Sequence, residues 1–186
     1  MRSRGRCRRL QTSTADLWET IAIEAERESP LWRDGLRSEP EAEPVFSPLG
    51  EGRYALGLET IYEGYLVHYG SPRLFAPADP DTALLLGDYL YAHGLVRIAS
   101  FGEVEAVADL SELISLCSQL RAEDGDGDGQ LWAATAALLG RGELDEARTA
   151  LRLHSDPAPL DRLGRDTAGD DAVDAALAAH SQRRAA

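Results

Sequence analysis

At 186 residues the chain is long enough for one domain with a real core. Its formal net charge of −13 and pI near 4.7 would repel phosphate backbones and anionic headgroups, which argues against nucleic acids and membrane surfaces as partners. There is no lysine, so Schiff bases, the phosphate-loop lysine and the kinase strand lysine are excluded, and no G-x-S-x-G serine motif occurs.

Arg2, Arg4, Arg6, Arg8 and Arg9 form a basic arm over residues 1–12, read as disordered. The polar run after Leu10 does not suit a signal peptide, and no segment reaches the length of a membrane span, so the expected location is the cytoplasm. Cys7 in the arm and Cys117 on an apolar helix face suggest neither a disulfide framework nor a metal site. A helical domain is expected over 13–155. Ser13 or Thr14 caps a first helix, with Leu17, Trp18, Ile21 and Ala25 on one face and Pro30 at its end; Trp18 and Trp32 read as packing anchors. Prolines 30, 40, 44 and 48 make 29–52 a loop.

Helical spacing returns over 53–69, where Tyr62, Tyr65 and Tyr69 suit either a wet core edge or a partner surface. Glu59 and Glu63 lie one turn apart and project together, and as a pair without chemistry they read as a solvated stripe. Asp79 caps the next helix and Pro80 opens it. Its run through Leu86, Tyr89, Leu90 and Ile98 is apolar on most sides and predicts a central position, with Gly87 and Gly94 allowing close approach of a neighbour. Gly102 ends that helix and an amphipathic one follows to Leu120, giving an antiparallel hairpin. His68 and His93 read as packing residues, with no second ligand at metal spacing.

The acidic Gly/Asp stretch 123–130 reads as a flexible linker. Asp124, Asp126 and Asp128 also make it a weak calcium candidate, with Thr135 where a calcium loop carries its bidentate glutamate. A shorter hairpin follows around Gly140 and Gly142, and GELDEARTAL there echoes GEVEAVADL in the preceding hairpin. Residues 156–186 form a polar, Ala-rich tail, expected to be partly disordered. Asp170, Asp171 and Asp174 spell D-D-x-x-D within it and read as a surface helix start.

The segment LLLGDYLYAHGLVRIA, followed by GEVEAVADLSELIS, resembles the trans-polyprenyl diphosphate synthase family, with Gly87-Asp88-Tyr89-Leu90 its most specific part. The resemblance implies an all-α fold, an antiparallel helical bundle resembling part of the isoprenoid synthase fold. It also implies diphosphate and metal positions upstream. The family's D-D-x-x-D falls on Glu59-Thr60-Ile61-Tyr62-Glu63, and its R-R-G-x-P-T on His68-Tyr69-Gly70-Ser71-Pro72-Arg73, without the paired arginines. Glu59, Glu63, His68, Arg73 and Asp88 are thus degenerate counterparts of the family's diphosphate and metal residues. Prenyl transfer needs magnesium and a charged clamp on the leaving diphosphate, and most of those charges are missing here.

The character is closest to the small, non-catalytic subunits of heterodimeric synthases. The expected role is an accessory subunit without cofactor, pairing with a catalytic polyprenyl synthase subunit in isoprenoid biosynthesis. Tyr62, Tyr65, Tyr69, Leu86, Tyr89 and Leu90 would form its interface or tunnel. The alternatives are a generic helical interaction scaffold and a divergent magnesium-dependent prenyltransferase using Glu59, Glu63, Asp170, Asp171 and Asp174.

Overall fold

A computed structural model describes residues 14–184, with side chains from residue 17. The basic arm, Cys7 and the cap at Ser13 lie outside the described residues. Within them the fold is all-α, with helices α1 Thr14–Glu28, α2 Pro30–Asp34, α3 Ala55–Tyr69, α4 Pro80–Ala99, α5 Val104–Ala122, α6 Asp128–Leu138, α7 Asp145–His154, α8 Ala158–Ala168 and α9 Asp170–Arg184. Two short 3-10 turns precede α3, and a single antiparallel bridge joins Leu36 to Phe75. The expected loop over 29–52 therefore contains the short helix α2 and a 3-10 turn at Ser47–Leu49; Ser29 caps α2 by accepting the Leu31 N–H at 3.1 Å, and Pro30 occupies its first turn.

The central helix is α3, where every residue from Gly57 to Leu66 is buried, and α4 does not take the central position its apolar run predicts. Two glycines on each helix explain the seam between them. A Cβ on Gly57 would come within 2.6 Å of the Ile98 side chain, and one on Gly94 within 2.4 Å of Ile61. One on Gly64 would stand 3.0 Å from the Gly87 carbonyl oxygen. Glycines seven residues apart on each helix thus bring two antiparallel backbones together. The outer face of α4 then carries Leu84, Leu85 and Val96, exposed at 56, 57 and 68%.

The main core gathers Phe46, Tyr62, Tyr65, Leu66, Leu113 and Trp132, and a second cluster joins Trp18, Ile21, Trp32 and Phe75 to Leu86 and Leu90. The tail expected to fray is instead two packed helices. Leu160 and Gly164 of α8 and Val173, Ala176 and His180 of α9 are buried, lying against α6. The small residues Ala133, Ala134, Ala136 and Ala137 of α6 let these weakly hydrophobic helices approach closely enough to exclude water.

Candidate functional site

Arg73, in the turn after α3, is fully buried and lies between Glu59 and Glu63. Its Nη1 donates to Glu59 Oε2 at 2.6 Å and to the Glu43 carbonyl at 3.0 Å, and its Nε donates to Glu63 Oε2 at 3.0 Å. The remaining carboxylate oxygens are also occupied. Glu59 Oε1 accepts the backbone N–H groups of Val45 and Ser47 at 3.2 and 3.0 Å, and Glu63 Oε1 accepts that of Leu74 at 2.7 Å. The guanidinium sits 4.3 Å from the Trp18 ring centroid and 4.8 Å from that of Tyr62, so it joins the two core clusters by cation–π contact. Burial opposes its charge, but the field of Glu59 and Glu63 outweighs burial and holds its pKa above the ordinary value.

The two acids do project together, but not as a solvated stripe; they are inside because Arg73 neutralises them there. With each oxygen accepting from the chain itself, the cluster ties the long 29–52 connection and the 70–77 turn to the central helix. Of the other residues expected to hold diphosphate or metal, Asp88 is largely exposed and pairs with His68 Nε2 at 3.3 Å on another side of α3. Burial lowers the His68 pKa against the pull of Asp88.

A second buried network holds the C-terminal helix. Tyr65 donates its O–H to Asp128, His180 Nε2 lies 3.3 Å from the same carboxylate oxygen, and His180 Nδ1 lies 3.0 Å from Tyr62 Oη. With the proton on Nε2, His180 donates to Asp128 and accepts the Tyr62 O–H, so each group has its partner. Arg184 Nη1 closes the other Asp128 oxygen at 2.9 Å. Burial opposes the Asp128 charge, yet the hydrogen bonds from His180 and Tyr65 outweigh it and hold its pKa at about 2. Burial raises Tyr62, and burial with the adjacent Asp128 raises Tyr65.

The His180–Asp128 pair has the arrangement of a base and its orienting acid, but neither side chain is more than 3% exposed. Cys117, the free cysteine of the described residues, is buried, and burial pushes its pKa well up, so it stays a protonated thiol without nucleophilic character.

The expected interface is corrected by burial. Tyr62, Tyr65, Leu86 and Leu90 are no more than 1% exposed and form no partner surface, while Tyr69 and Tyr89 are partly buried at the edges of the two core clusters. The calcium candidate is likewise dispersed, since Asp128 faces the Tyr65–His180 network while Asp126 lies outside it and contacts Arg184 at 3.4 Å. Among the described residues no group of three or more His, Cys, Asp or Glu is placed to hold a metal ion. Asp170 and Asp174 flank Arg165 at 3.5 and 2.9 Å at the exposed start of α9, consistent with a surface helix start.

Residues the sequence reading left aside include His180 and Arg184, on a helix expected to fray. Val173, Ala176, His180 and Arg184 recur at spacings of three and four, and that stripe was the available signal. No helix of the described residues is long and apolar enough to cross a membrane. No protein-family model matches the chain, and neither curated proteins nor solved structures yield a match.

Proposed function

We propose that the chain is a non-catalytic helical subunit that binds another protein, with a catalytic polyprenyl diphosphate synthase subunit as the partner class implied by the resemblance. One contrast carries this reading. The acids aligned with the catalytic motif are consumed by Arg73, while α4 turns Leu84, Leu85 and Val96 to solvent, followed by exposed Phe101 and Val104. Exposed apolar side chains on α4, interspersed with the exposed Asp81 and Asp88 in a chain of net charge −13, suit a partner with apolar pockets and a basic rim.

Light scattering after gel filtration, with a catalytic trans-polyprenyl diphosphate synthase subunit added, is the test. A stable complex that Leu85→Glu or Val96→Glu disrupts without lowering the melting temperature is expected. The chain alone, given magnesium, an allylic diphosphate and isopentenyl diphosphate, is expected to form no product. Magnesium-dependent product formation by the chain alone would establish the magnesium-dependent prenyltransferase instead. The same side chains also suit a helical scaffold unrelated to prenyl synthases, since their exposure does not depend on the G-D-Y-L resemblance; binding of a defined non-synthase partner with the same Leu85→Glu sensitivity selects that reading.

A further inference from the structure

Where the C-terminal ends of α3, α5 and α9 meet, an open cavity of about 540 Å³ is lined by His68 and Tyr69 from α3, Ser118, Arg121 and Ala122 from α5, and Arg184 from α9. Helix C-termini carry partial negative charge, and arginines in a last turn ordinarily offset it. Arg121 goes beyond that role. Its Nε is buried without a hydrogen-bond partner, and among the described residues no carboxylate pairs with its guanidinium, in a chain whose acids outnumber its arginines 32 to 19. The half-buried guanidinium opens onto the cavity, and its buried Nε–H is unfavourable unless something else supplies the acceptor.

The rest of the cavity is fixed in place. Arg184 is held by Asp128 at 2.9 Å, by Asp126 at 3.4 Å and by the Gly125 carbonyl at 3.3 Å, so its charge is mostly answered within the chain. Tyr69 donates its O–H to Ser118 Oγ at 3.3 Å, and Ser118 donates to the Ile114 carbonyl at 2.9 Å. The His68 and Tyr69 rings lie 5.5 Å apart, and His68 is pinned from behind by Asp88 and the close approach of Gly87. The cavity therefore offers one unanswered positive charge, a second guanidinium already oriented, and two aromatic rings.

We propose that this cavity binds a small molecule carrying a carboxylate or phosphate on a flat ring. Arg121 supplies the charge-assisted, fork-shaped contact to the oxyanion, and His68 and Tyr69 pack against the ring. The proposal is independent of the docking surface on α4.

Titration calorimetry of the full chain with phenyl phosphate, benzoate and ring-free inorganic phosphate tests it. At least one of the two ring-bearing anions is expected to bind saturably, and more tightly than inorganic phosphate by about tenfold. Arg121→Ala is expected to weaken that binding by about tenfold or more with an unchanged melting temperature, Arg121→Lys to weaken it less, and Leu85→Glu to leave it unaltered. No saturable binding of either ring-bearing anion at millimolar concentration would overturn the proposal. So would equal binding by wild type and Arg121→Ala.

Discussion

Gly57 and Gly94 face each other across the α3–α4 seam, and a Cβ on either would stand 3.3 or 3.0 Å from the other's carbonyl oxygen. On Gly94 the added methyl would also meet Ile61 at 2.4 Å, inside a helix packed on all sides. The gain in helix propensity is about 1 kcal/mol, and overpacking a tight seam costs about 1–3 kcal/mol. Gly94→Ala is therefore expected to lower stability on balance, read by urea denaturation; a stabilised variant would show that the seam is not close-packed.

The corrected orientation of α4 separates two adjacent leucines. Leu86 is fully buried and Leu85 is 57% exposed. Leu86→Ala is expected to lose about 2–5 kcal/mol and Leu85→Ala to stay within about 0.5 kcal/mol of wild type, as measured by chemical denaturation. Equal losses would place α4 in the bundle centre after all.

Acid should release the C-terminal helix. The Asp128 pKa is about 2 in the fold, below the ordinary value near 3.8. A depressed carboxylate pKa contributes stability present above the unfolded value and lost as pH falls through the folded one, so the window runs from about pH 4 down to about pH 2. Its size is about 2 kcal/mol. Thermal melts across that window are expected to show a falling melting temperature in wild type and a flatter profile in Asp128→Asn. An identical slope in the variant would remove Asp128 from the acid response.

Much of the helical order was legible. Asp79 accepts the Thr82 N–H at 2.9 Å as the expected cap, Pro80 opens α4, and Gly102 and Gly142 take positive φ in the turns before α5 and α7. The echoed wording GEVEAVADL and GELDEARTAL is thus one turn-and-helix device used twice, and Asp109 of the first copy pairs with Arg148 of the second at 2.8 Å. These signals are local, and local chemistry reads directly from neighbouring residues.

The site was less legible because its defining contacts are not local. Glu59 and Glu63 look solvent-facing until Arg73 is known to turn back onto them, and α8 and α9 look weakly hydrophobic until the small residues of α6 are known to receive them. A charge pair one helical turn apart has two physical outcomes, solvation or internal pairing, and only the fold selects between them.

The stability of Glu59→Gln tests the structural assignment of the acids most directly. Carboxylates kept for metal or diphosphate chemistry repel each other in the free protein, and neutralising one raises stability. A carboxylate that pairs with buried Arg73 at 2.6 Å and accepts two backbone N–H groups does the opposite when its charge is removed. Equilibrium denaturation is expected to show Glu59→Gln destabilised by about 3–5 kcal/mol, since Arg73 loses a buried partner. A Glu59→Gln protein as stable as wild type, or more stable, would contradict the structural role and return Glu59 and Glu63 to the list of catalytic candidates.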